Sequence, residues 1–189
     1  MKLRTMVIAS TIALTGFALS GCTVNINTND NHHMMDGNIS SFSNMDIMFA
    51  QMMIPHHQQA VDMGTLAETR ASNVEVKALA AQIKNEQAPE IAQMKGWLND
   101  AGAGMDMGHD MGMGGMLSDK EFESLKASTG ATFDKLYLEG MIGHHEGAIA
   151  MAKMVLNSKN AEAKALGEAI VVSQTKQITF MKELLKKLG

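Results

Sequence analysis

The chain has one cysteine, Cys22, in 189 residues. It therefore forms no intramolecular disulfide, and it cannot build a metal site from several thiolates. Basic residues are in deficit, with 16 Lys and Arg against 20 Asp and Glu. That balance argues against nucleic acid as a partner. Aromatics are scarce, with one Trp, one Tyr and six Phe. No stretch alternates apolar and polar residues as a half-buried strand would. No Glu-x-x-His occurs, although a carboxylate-bridged di-iron bundle needs that pairing on two helices. The longest apolar run, Met6 to Leu19, has 14 residues and is too short to span a bilayer.

That run follows Lys2 and Arg4 and leads into Leu19-Ser20-Gly21-Cys22. The arrangement is that of a signal peptide, and its end resembles the bacterial lipobox. Cleavage after residue 21 would leave Cys22 as an acylated mature N-terminus. The expected location is the cell envelope, facing the periplasm. Thr23, where sorting would otherwise read Asp, points to the outer membrane. Residues 22–44, rich in Asn, Ser and Asp, read as a flexible tether.

The abundant residue is methionine, 19 in all. From Met45 the apolar pattern is helical to about Asp100, and it resumes after Ser118 to Leu188. Ser118-Asp119-Lys120-Glu121 reads as a capping box, and Thr129-Gly130 as an interruption. The two helical halves repeat. Asp46, Phe49, Met53, His56, His57, Ala60 and Met63 match Asp134, Tyr137, Met141, His144, His145, Ala148 and Met151 at an offset of 88. Glu75, Ile83, Gln87, Ile91, Met94 and Leu98 match Glu162, Ile170, Gln174, Ile178, Met181 and Leu185 at 87. Each half is thus an αα-hairpin, turning near Ser72-Asn73 or Ser158-Asn160. The predicted fold is all-α: an antiparallel four-helix bundle over 45–188, with a Met/Gly-rich loop at 101–117.

The stripe Phe49, Met53, His56, Ala60, Met63, Ala67 advances by alternating fours and threes, the core face of a bundle helix. Tyr137, Met141, His144, Ala148, Met151, Val155 does the same. His56 and His144 therefore point inward, with His57 and His145 one position round. Met45, Met48 and Met52 extend the cluster in the first copy. A single core Met is ordinary flexible packing. Two adjacent histidines, repeated, with thioethers at helical spacing, are hard to justify that way, because a buried unpaired imidazole loses solvation without return. Gln87 and Gln174, on the partner helices, are candidates to orient a ring nitrogen. Pro55, just ahead of the first pair, is expected to kink its helix or loosen its hydrogen bonds and so help to open a ligand position; Pro89 should act likewise in the second helix.

In the loop, Met105, Met107, His109, Met111, Met113 and Met116 stand among glycines with no core to fill. His32, His33, Met34 and Met35 repeat the theme in the tether. Thioether with imidazole is a soft-to-borderline ligand set. It suits Cu(I), and Cu(II) where imidazole dominates; silver(I) is equally soft. Loop sites built on Met should hold at moderately acid pH, whereas His sites should weaken as the rings protonate.

"DIMFAQMMIPHHQQAVDMG" and "FDKLYLEGMIGHHEGAIAMAKMV" resemble the bacterial family catalogued as domain of unknown function three hundred and five. The likeness covers about 45–188. It implies a ferritin-like fold and, through CopM-type members, secreted copper binding or copper tolerance. The positions it carries over are Met53, His56, His57, Met63, Met141, His144, His145 and Met151. Gly143 stands where the first copy has Pro55. The expected function is a lipoprotein that sequesters copper or hands it to a copper-transfer protein, without catalysis. A copper-dependent oxidase and a non-metal interaction lipoprotein are the alternatives.

Overall fold

The computed structural model describes residues 41–105 and 113–189. Five helices form: α1 (Asn44–Arg70), α2 (Val74–Asp100), α3 (Asp119–Ala127), α4 (Gly130–Ala152) and α5 (Ala161–Leu188). No strand occurs among the described residues. The hairpins α1/α2 and α4/α5 make the four-helix bundle, and α1 against α4 is the main seam between them. No helix is long and apolar enough to cross a membrane among the described residues.

Local chemistry sets the helix ends. Ser43 caps α1 and closes a capping box with Asp46. The box expected at Ser118 and Glu121 opens α3. Asn73 and Asn160 cap α2 and α5, each accepting from two backbone N–H groups with its side-chain oxygen. Gly130, at φ 64, turns the chain from α3 into α4, a conformation that costs glycine little. Folded contacts begin slightly ahead of α1. Phe42 packs on Trp97 with ring centroids 5.1 Å apart, and Asn160 donates to the Ser41 carbonyl at 3.3 Å.

Both prolines lie within unbroken helices. Pro55 is exposed, on the face of α1 turned away from the seam. The stripe residues of α1, Phe49 to Ala67, are all buried, as are those of the second copy, Tyr137 to Val155. α4 stops earlier than α1 does: past Ala152 the chain tightens into turns, with Met154 N–H on Met151 O at 3.0 Å and Val155 N–H on Ala152 O at 3.2 Å.

The core is divided. One apolar cluster gathers Phe49, Met53, Met94, Ala148 and Met151; the other gathers Ala60, Met63, Tyr137, Met141 and Met181. Between the two runs a buried polar layer of His56, His57, His144, His145, Gln87, Gln174 and Gln177.

Candidate metal centre

Helix periodicity puts His56 and His144 on the facing stripes of α1 and α4, and their rings meet with centroids 3.7 Å apart. Each adjacent pair has nearly the same geometry, 6.4 Å between the His56 and His57 rings and 6.3 Å between those of His144 and His145. The sequence repeat is thus an approximate two-fold in the structure. All four imidazoles are fully buried. Each flanking apolar cluster holds one stripe methionine from either central helix: Met53 with Met151, and Met63 with Met141.

Hydrogen bonds fix the protons on three of the rings. His144 Nε2 lies 2.9 Å from the His56 carbonyl oxygen, which can only accept. His57 Nε2 lies 2.8 Å from Glu90 Oε2. His145 Nε2 lies 2.7 Å from Gln177 Oε1, while Gln177 Nε2 donates to Glu86 Oε2 at 2.8 Å. Gln177 therefore offers its oxygen to the ring, and the ring donates. In each neutral ring the proton sits on Nε2 and the lone pair on Nδ1. Those three Nδ1 atoms are buried without a hydrogen-bond partner, as are both ring nitrogens of His56. A metal-binding histidine ordinarily donates its second N–H to a carboxylate or carbonyl, which orients the ring and makes the other nitrogen a better ligand. His57, His144 and His145 have that support.

Burial favours the neutral form of His56, His144 and His145. It pushes His56 down to about 3, helped by repulsion from His57. Burial pushes His145 down to about 4 against the raising hydrogen bond of Gln177. His144 is held well below 6.5 by burial and by the neighbouring His56. The acid weakening expected for the histidine sites is therefore displaced downward, since a proton competes for these lone pairs only in fairly strong acid.

A family model for DUF305, a domain of unknown function, matches residues 46–185. The chain belongs to the DUF305 family. Its bundle is similar to the crystal structure of a DUF305 protein from Streptomyces coelicolor described as secreted. The two are 34% identical with a TM-score of 0.72, over 77% of this chain and 94% of that one. It is also similar to CopM in its Cu(II)-bound form, at 34% identity and a TM-score of 0.63, over 76% of this chain and 97% of CopM. CopM has further been solved with Cu(I), with silver and as the apo form. A curated relative, the uncharacterized protein L153 of Acanthamoeba polyphaga mimivirus, is 43% identical over 53 residues. That match spans 28% of this chain and about a third, 35%, of the relative's length.

The residues singled out from the sequence fall into three groups in this DUF305 protein. Met53, His56, His57, Met63, Met141, His144, His145 and Met151 are buried in or beside the polar layer. Met48, Met52, Met113 and Met116 are half-buried, and Met105 is exposed. Met116 lies over the outer face of α1 with Pro55, Gln58 and Gln59. Cys22, His32, His33, Met34, Met35, Met107, His109 and Met111 lie outside the described residues. Among the described residues, no three His, Cys, Asp or Glu side chains stand together as a metal-holding group. The arrangement therefore offers imidazoles in pairs, with thioethers as neighbours.

Gln87 and Gln174 do not take the orienting role expected of them. Both Gln87 side-chain polar atoms and Gln174 Oε1 are buried without partners. The ring partners are Glu90 and Gln177, one turn further along each helix. A signal for them existed: Glu90 and Gln177 are themselves a repeat pair at the offset of 87. The loop's flanks are pinned to α1. Gln51 Nε2 donates to Gly104 O at 2.7 Å; Gln59 both donates to Leu117 O at 2.9 Å and accepts from Leu117 N at 2.8 Å. The Gly114-Gly115 turn presses on Gly143 and Gly147 of α4, so closely that a Cβ on Gly147 would lie 1.8 Å from Gly114 O. The contact depends on Gly115 and Gly147; a Cβ on Gly143, the departure from Pro55, would meet nothing within 4 Å.

Proposed function

We propose that this DUF305 protein binds copper as cargo through its Met and His side chains, Cu(I) ahead of Cu(II). It works outside the cytoplasm, anchored by lipid at Cys22, and either sequesters the ion or passes it to a copper-transfer protein. Copper tolerance is the role this serves. One observation carries the reading: a water-excluded layer holds imidazoles whose Nδ1 lone pairs are unpartnered, while their N–H groups are already engaged. Such a layer costs stability unless something binds those lone pairs. Thioethers on either side make the set soft, which suits Cu(I) over zinc or magnesium. The likeness to CopM, solved with Cu(II), Cu(I) and silver, supports a soft ion. The secreted description of the Streptomyces coelicolor protein supports the compartment.

The test is competition with a Cu(I) chelator for three proteins: wild type, His56→Ala/His144→Ala, and a deletion of 105–116. The double substitution is expected to lower the copper stoichiometry, and the deletion to remove a separate share of it. Wild-type stoichiometry in the double variant would remove the buried layer from the site. Loss of all copper on deletion alone would reduce the bundle to a scaffold. Oxygen consumption by the loaded protein would replace a binder with an oxidase.

A further inference from the structure

The two-fold relation between the hairpins fails at one chemically important place. Glu90 and Gln177 occupy equivalent positions, and each accepts the Nε2 proton of the outer histidine of its own hairpin. One acceptor is a carboxylate and the other a neutral amide. The amide is backed by a carboxylate, Glu86, but only through its own N–H. A carboxylate directly on the N–H makes an imidazole a more basic and more electron-donating ligand; an amide does so far less. We infer that Glu90 and Gln177 make His57 and His145 unequal ligands, His57 suited to Cu(II) and His145 to Cu(I).

The inference rests on the copper-binding reading above and deepens it. Cu(II) is the harder, more charged ion and gains more from an anionic arm; Cu(I) gains little from it. Burial amplifies the difference, because His57 is fully buried and water does not screen the Glu90 charge at its ring. Glu90 itself keeps 20% of its side-chain surface exposed, so it meets solvent on one side and the His57 ring on the other. Glu90 and Gln177 are positioning residues: they touch the ring, not the ion.

Two full-length variants test this. Glu90→Gln keeps shape and makes both arms amides. The paired exchange Glu86→Gln/Gln177→Glu conserves charge and brings the carboxylate directly onto His145. Cu(II) and Cu(I) affinities are measured separately by chelator competition, with the reduction potential of the loaded protein; the other imidazoles are common to all variants. Glu90→Gln is expected to weaken Cu(II) about 10- to 100-fold while Cu(I) affinity changes far less. The potential should then rise by about 60–120 mV, at 59 mV per tenfold for one electron. The paired exchange should tighten Cu(II) and lower the potential. Equal weakening of both oxidation states by Glu90→Gln would show a mere structural strut and overturn the inference, as would a potential that neither variant moves. Wild type that takes up no copper would overturn the function itself; wild type that loads copper, with neither variant moving the potential, would overturn only this asymmetry.

Discussion

Asp46 and Asp134 hold matching positions in the two repeats, yet their carboxylates serve different partners. Asp46 Oδ2 accepts from Ser43 N and Oγ, both at 2.8 Å, and so closes the cap of its own helix. Asp134, 1% exposed, reaches across to the first hairpin. It accepts from Ser72 N at 3.1 Å, from Asn73 N at 2.9 Å and from the Ser72 hydroxyl. The turn between α1 and α2 thus has its backbone donors satisfied by α4. Asp134→Ala would remove the acceptor of three donors at a part-buried turn, where each unmet donor costs toward the lower end of about 1–3 kcal/mol. The expected loss is about 2–4 kcal/mol in urea unfolding, against a smaller loss for Asp134→Asn, which keeps an acceptor. The match between Asp46 and Asp134 was legible in the sequence. The division of labour was not, because Ser72 lies 62 residues from Asp134 and only the packed bundle brings them together.

The hairpins themselves are locked by one close crossing each, and the repeat swaps which helix supplies the glycine. Gly64 of α1 faces Ala80 of α2; a Cβ there would sit 3.1 Å from Ala80 O. In the second hairpin Ala152 stands where Gly64 was and Gly167 where Ala80 was. A Cβ on Gly167 would lie 3.1 Å from Ala152 O and 2.7 Å from Val155 Cγ2. Glycine at either crossing sacrifices about 1 kcal/mol of helix propensity for that approach. Gly167→Ala is expected to destabilise by about 1–3 kcal/mol through overpacking, despite the better helix former. Gly96, exposed with nothing near its missing Cβ, gives the opposite sign: Gly96→Ala should stabilise by about 0.4–1 kcal/mol. Thermal melts of the two variants check the pair. The hairpins were legible because periodicity and repeat agreed. Pro55 and Pro89 each forfeit a backbone hydrogen bond inside a helix that runs on unbroken. Pro55 gives up one on the solvent side, where water can replace it.

Across the whole molecule, the sequence named all four histidines of the polar layer, since their spacing carries them to the seam. It did not show Glu90 and Gln177 as their partners, because the choice between one helical turn and the next depends on how α2 and α5 lean on the central pair. That layer dictates how the metal-free protein meets acid. His56 at about 3, His145 at about 4 and His144 well below 6.5 stay neutral when folded. On unfolding the same rings titrate near 6.5. Between about pH 6.5 and 4 the unfolded chain therefore binds more protons than the native one, so stability falls as pH falls. Three such rings together give a slope approaching about 4 kcal/mol per pH unit near pH 5. For a total stability of about 5–10 kcal/mol, helicity followed by circular dichroism should collapse between roughly pH 5 and pH 3. An ion bound to neutral Nδ1 atoms stabilises only the native state, so copper loading is expected to move that collapse to lower pH. Helicity unchanged through pH 3.5 without metal, or a midpoint that copper leaves in place, would mean that these rings are not held neutral and dry at the centre of the bundle.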